Sequence, residues 1–198
     1  RPVRAVVYGV EGVGKSTFAA DAPAPIFIGA EDGTAELDVA RFPSVQSFAD
    51  VIGALDTLAN ERHEYKTLAV DTLDALEPFV WAHTIATHPL KGGGAAKSIE
   101  DYGYGAGYVN ALGVWRGVLA KFDVLRARGM NVILIAHHHV KTHNNPAGDN
   151  FDRYEMKLHK LAAALVKEWS DAVMFATHDV VTHKADPKDR KAKGISTG

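Results

Sequence analysis

Gly9-Val10-Glu11-Gly12-Val13-Gly14-Lys15-Ser16-Thr17 is the stretch on which the fold turns. It satisfies G-x-x-x-x-G-K-[ST], the phosphate-binding loop, with the spacing that motif demands. Upstream, Val3-Arg4-Ala5-Val6-Val7-Tyr8 reads as a buried strand, and Phe18-Ala19-Ala20 opens a helix. The loop glycines let successive backbone N–H groups turn inward around phosphates, and a helix N-terminus adds partial positive charge. Residues 9–17 are therefore the expected cradle for a nucleotide, ATP, with Lys15 reaching its β- and γ-phosphates. The Ser16 hydroxyl is the expected first ligand for Mg²⁺. A glycine-rich turn that merely contains Lys-Ser is the competing reading, and the flanking strand and helix weigh against it.

The chain has 198 residues, enough for one sizeable α/β domain and too few for two of ordinary size. Its net charge of −2 gives no global basic character, so any nucleic-acid contact must come from a local patch or from assembly. The absence of cysteine removes disulfides, thiolate metal sites and cysteine nucleophiles together. No apolar run approaches the length of a membrane span and no signal peptide is visible, so a cytoplasmic protein without a membrane partner is expected. A start at Arg1 and an end at Gly198 fit a single domain, 1–198, cut from something longer.

Apolar runs alternate with amphipathic stretches in βαβα order, the signature of a mostly parallel sheet flanked by helices on both faces. Strands are expected at 3–8, 25–29, 67–71, 131–136 and 172–177, with a further extended segment, a hairpin partner, through 178–183. Phe48, Val51, Ile52, Leu55 and Leu58 share a helical face behind Ser47 as N-cap. Tyr108, Leu112, Trp115, Leu119 and Phe122 do the same in a longer helix that Gly129 terminates. A further helix is suggested by Tyr154, Leu158, Leu161 and Leu165, ending near Trp169. Two polar or glycine-rich stretches, 88–107 and 141–152, carry no regular pattern and read as long functional loops.

A phosphate loop needs a second metal-organising carboxylate at the end of a buried strand. Thr67-Leu68-Ala69-Val70-Asp71 supplies it, and Asp71 is the expected Mg²⁺ ligand. Its competing role is to cap the next helix, which Thr72 or Asp74 can equally fill. A group that activates water is also required, and Thr72, not Glu, follows Asp71. Glu31, after the strand 25–29, can face the γ-phosphate from the same sheet edge and is the expected base, with Asp32 as fallback. His137, first of three histidines after the strand 131–136, is the candidate γ-phosphate sensor. His137 and His139 share a face if the strand continues, which also suits a transition metal, but no third ligand has a recognisable spacing.

These residues resemble the RecA-like ATPase core. They are closer still to the bacteriophage ATP-binding proteins of single-strand annealing and recombination. The resemblance is carried by Tyr8 to Thr17, Ile26 to Asp38, Tyr65 to Leu73, Ser98 to Gly105, Gly129 to His137 and Asp152 to Lys160. It implies a RecA-like P-loop core in which the sensor strand 131–136 lies between the phosphate-loop strand and the Asp71 strand. It also implies that Glu31 is the catalytic Glu and that His137 stands where RecA has an amide. It further implies an ATP hydrolase acting in phage-type DNA recombination in the host cytoplasm, assembled as a ring or filament on single-stranded DNA. A single-strand-binding protein is a further implied partner. Lys184, Lys188, Arg190, Lys191 and Lys193 are candidates for basic groups donated to a neighbouring subunit, or else a solvated tail.

The loops have chemistry suited to a single strand. Tyr102, Tyr104 and Tyr108 can stack on bases, and Lys141, Arg153 and Lys157 can meet phosphates. Glu100 and Asp101 oppose this, and tyrosines among glycines also pack ordinary loops. Two other functions compete: a small-molecule phosphotransferase, for which no arginine-rich lid stands out, and a nucleotide-binding module that does not hydrolyse. A GTP-dependent switch is disfavoured, because His183 stands where the guanine-reading Asn belongs in His183-Lys184-Ala185-Asp186.

Overall fold

A computed structural model describes residues 1–30, 37–183 and 193–196. The strands are β1 (Arg4–Gly9), β2 (Pro25–Gly29), β3 (Ala40–Arg41), β4 (Thr67–Asp71), β5 (Asn131–His143), β6 (Phe151–Met156), β7 (Ala172–Ala176), β8 (Val180–His183) and β9 (Lys193–Ser196). The helices are α1 (Lys15–Ala20), α2 (Phe48–Asn60), α3 (Leu73–Thr87), α4 (Ala106–Ala127) and α5 (Lys160–Trp169), with a 3-10 turn at Ile99–Tyr102.

The main sheet runs β3-β2-β4-β5-β1-β7, every pair parallel, and β6 joins β5 antiparallel. β5 thus lies between β1 and β4, as the resemblance implied. Central strands covered on both faces should be apolar throughout, and β4 is buried at all five positions. One face carries α2 to α5 over a core that includes Val6, Leu68, Leu134, Trp115 and Phe122. The other carries α1 over a smaller cluster of Val7, Ala19, Phe27, Ala69, Ile133 and Ile135. The fold is α/β with helices on both sheet faces.

Local chemistry sets the helix boundaries. The Ser47 side chain accepts the Asp50 N–H at 3.2 Å to cap α2. Thr72, not Asp71, caps α3 by accepting the Ala75 N–H at 3.3 Å, which leaves the Asp71 carboxylate available. Gly129, at φ +99°, ends the last turn after α4.

Two expectations need correction. The stretch 141–152 is not a free loop: β5 continues to His143 and returns as β6, with only 144–150 between them. The helix expected from Tyr154 begins at Lys160, because Tyr154 belongs to β6, where it pairs with Val140. The helix expected after Asp71, for which the sequence set no bounds, runs over residues 73–87 with Pro78 inside it. Val180–His183 is extended and pairs antiparallel with Lys193–Ser196, as a hairpin partner should. No helix among the described residues is long and apolar enough to cross a membrane.

Candidate nucleotide-binding site

β1 stops at Gly9 and α1 begins at Lys15, so residues 10–14 form the turn between them at the C-terminal edge of the sheet. Gly9 is required by proximity. A Cβ there would sit 1.9 Å from the Ala176 carbonyl oxygen of β7, which accepts the Val10 N–H at 3.1 Å. Gly14 is required by conformation, since it enters α1 at φ +88°.

Lys15 is buried, at 7% exposure, and its ammonium folds back into the loop. It donates to the Val10 carbonyl at 2.7 Å and the Gly9 carbonyl at 3.2 Å. The Ser16 hydroxyl donates to Asp71 Oδ2 at 2.6 Å, joining the first turn of α1 to the end of β4. Hydroxyl and carboxylate oxygens side by side are the donor set that a hard divalent cation takes. The loop, the buried ammonium and this oxygen pair therefore fit a triphosphate carrying Mg²⁺.

Burial pushes the Lys15 ammonium below its ordinary value, against the pull of Asp71, Asp74 and Glu11. Burial likewise raises the Asp71 carboxyl, opposed first by the Ser16 hydrogen bond and then by His137 and Lys15. Both groups are desolvated, so each responds strongly to a charge placed beside it.

The family model described as AAA domain matches residues 1–196. The chain belongs to the AAA domain family. As a member it is a P-loop, ATPase-type, nucleotide-binding domain. No curated protein matches its sequence. Among solved structures it is similar to the flagellar accessory protein FlaH from Methanocaldococcus jannaschii, at 11% identity and a TM-score of 0.43, over 93% of this chain and 76% of that one.

In this AAA domain, two acids on α3 extend the site beyond what the motifs mark. Asp74 accepts the His137 backbone N–H and the His137 ring Nδ1, each at 2.9 Å, and lies 3.9 Å from the Lys157 ammonium. Three residues on, Glu77 is buried and accepts the His159 N–H through both oxygens, at 3.0 and 3.2 Å. Burial pushes Glu77 up to about 7, with the His159 N–H opposing and Asp74 adding to the rise. The signal for this pair was the i, i+3 spacing, which puts both acids on one helix face.

The other expected residues are placed as follows. Glu31 and Asp32 lie outside the described residues; β2 brings the chain to Gly29 opposite Asp71. Lys184, Lys188, Arg190 and Lys191 also lie outside them, and Lys193 opens β9. Lys141 and Arg153 stand directly opposite each other in the β5–β6 ladder, and both contact Glu155. Lys157 instead turns towards Asp74. The Tyr102 hydroxyl donates to the His88 carbonyl at 2.6 Å, holding its segment to the end of α3. Tyr104 is fully exposed, and Tyr108 stacks on His159 with ring centroids 3.9 Å apart. Among the described residues, no group of three or more His, Cys, Asp or Glu is placed to hold a metal ion, so His137 and His139 gain no third ligand there.

Proposed function

We propose that this AAA domain is a Mg²⁺-dependent ATP hydrolase whose nucleotide state governs its hold on single-stranded DNA, in recombination or single-strand annealing of the bacteriophage type. The observation that carries it is the Lys15–Ser16–Asp71 constellation at the carboxyl edge of the sheet, with His137 and its Asp74 partner beside it. Lys15 would neutralise the β- and γ-phosphates, and Ser16 and Asp71 would hold the metal, which supplies further neutralisation of the triphosphate. Backbone N–H groups of the loop would take the remaining phosphate oxygens. Glu31 is the proposed base for the attacking water. His137, fixed by Asp74, is the proposed sensor of the γ-phosphate at the head of the β5–β6 hairpin.

Single-stranded DNA is proposed to meet Tyr104 through base stacking and Lys141, Arg153 and Lys157 through phosphates. Two features support this: an aromatic ring held fully in solvent and two cations crowded on one strand pair. Assembly of several copies along the strand, and hand-over from a single-strand-binding protein, belong to the same proposal. ATP turnover with and without single-stranded DNA, on wild type and on Lys15→Ala, tests it. Stimulation by DNA in the wild type and loss of turnover in the variant are expected. Turnover indifferent to DNA but driven by a small acceptor would favour a phosphotransferase instead.

A further inference from the structure

A cavity of about 320 Å³ lies between the β5–β6 hairpin and α5, with no part in the nucleotide site. Lys141 and Arg153 line it from the hairpin, Lys160 and Lys167 from α5, and His139 and Glu155 complete its polar wall. Four full cations therefore face one carboxylate. Lys141 and Arg153 are direct cross-strand neighbours, a like-charge pairing that weakens a ladder by itself. Glu155 relieves part of this, accepting from Arg153 Nε at 2.7 Å and lying 3.7 Å from the Lys141 ammonium. The Arg153 hydrogen bond chiefly holds Glu155 below its ordinary value, with Lys141 and Lys167 adding to it, so this carboxylate is already committed. Among the described residues no ion pair joins Lys160 or Lys167, although Lys167 rests 5.9 Å from the Tyr8 ring centre.

Concave walls concentrate the potential of charges that line them, and a surplus of cations in such a pocket is relieved by a bound anion. The Arg fork and three flexible ammonium groups suit tetrahedral oxyanions approached from several sides. We propose that this pocket is a second anion site, taking a phosphate group either from a single-stranded nucleic-acid backbone or from a free polyphosphate. The nucleic-acid source rests on the DNA reading given above; the free-anion source does not. The pocket opens two residues beyond His137 on the same strand, so an anion held there lies one step along β5 from the nucleotide sensor.

Two titrations on the full chain test it. A labelled oligothymidylate is titrated across a range of salt into wild type and into Lys160→Gln/Lys167→Gln. Sodium tripolyphosphate is titrated by calorimetry into Lys15→Ala, where the P-loop is disabled, with and without the same two changes. Removing the two ammonium groups should weaken oligothymidylate binding about tenfold and flatten the log-log salt slope by about 0.7 for each phosphate no longer neutralised. Binding of labelled ATP at the P-loop should be unchanged, and Lys160→Arg/Lys167→Arg should restore the affinity. Oligothymidylate bound by the variant with unaltered affinity and slope overturns the nucleic-acid source while leaving DNA binding elsewhere intact. If the wild type binds no oligothymidylate, the DNA reading fails. The pocket then stands only if tripolyphosphate heat appears in Lys15→Ala and vanishes with the added changes, and it falls if no such heat appears. Lys160→Gln alone, at an exposed first-turn position of α5, repeats the test should the double variant melt early.

Discussion

Asp74 grips His137 twice: one carboxylate oxygen accepts the backbone N–H and the other faces ring Nδ1, both at 2.9 Å. A carboxylate only accepts, so Nδ1 carries the proton and Nε2 is left for other work. The middle of β5 is thereby tied to the first turn of α3, one turn from where Asp71 meets Ser16.

Asp74→Asn therefore keeps the shape but loses the charge and one of the two acceptors. Turnover should fall by on the order of tenfold to a hundredfold, the scale for misplacing a group near the chemistry. ATP affinity should hold or rise slightly, because the lost negative charge is one that acts on Lys15 and Asp71. Steady-state kinetics beside equilibrium nucleotide binding separates the two effects.

Gly9→Ala places a methyl group 1.9 Å from the Ala176 oxygen, so β7 or the loop must move. Overpacking of this kind costs about 1–3 kcal/mol. Thermal unfolding should report that loss, and nucleotide binding should weaken with it because the Val10 N–H to Ala176 hydrogen bond opens. Gly14→Ala should harm the loop through φ instead, without touching β7.

Glu77 gives a pH signature. Its folded value of about 7 lies above the ordinary 4.5, so between those values the folded chain holds a proton that the unfolded chain has lost. Stability from this group is full below about pH 4.5 and is lost as pH rises towards 7. Asp74, the His159 N–H and the Tyr108 hydroxyl are polar groups that act on it or feel its charge. Glu77→Gln should match wild type near pH 4 and exceed it above about pH 8 by up to ~3 kcal/mol, the full linkage value. Denaturant titrations at the two pH values measure the difference.

Tyr104 stands fully in solvent at φ +48°, between Gly103 and Gly105, both also at positive φ. A bulky residue there is strained and contributes nothing to packing. Tyr104→Gly should leave the melting temperature unchanged or slightly raised. It should cost single-stranded DNA binding about 1–3 kcal/mol, the worth of one stacked base. Tyr102→Phe should do the reverse, lowering stability because the hydroxyl no longer ties its segment to the His88 carbonyl.

The phosphate loop and the Asp71 strand were legible because their signals are local: fixed glycine spacing in one, an unbroken buried run in the other. β5 was legible only to Ala136. Beyond it the hairpin leaves the shelter of the sheet, its residues other than Met156 are half or fully exposed, and the period-2 pattern of burial vanishes. Tyr154 and Leu158 mimicked a helical face because a strand end and a helix start happened to abut at that spacing. The start of α3 was legible from its capping residues, but its length was not, because a helix with an internal proline lacks a clean polar face. The i, i+3 spacing puts Asp74 and Glu77 on one helix face, but their partners lie 63 and 82 residues away and that spacing does not name them.

The most direct measurement is equilibrium binding of a labelled, non-hydrolysable ATP analogue, with and without Mg²⁺, to wild type, Lys15→Ala and Ser16→Ala. Wild type should bind with Mg²⁺, Lys15→Ala should lose most of that affinity, and Ser16→Ala should lose its dependence on the metal. Lys15→Ala binding the analogue as tightly as wild type would contradict the placement of the triphosphate between β1 and α1.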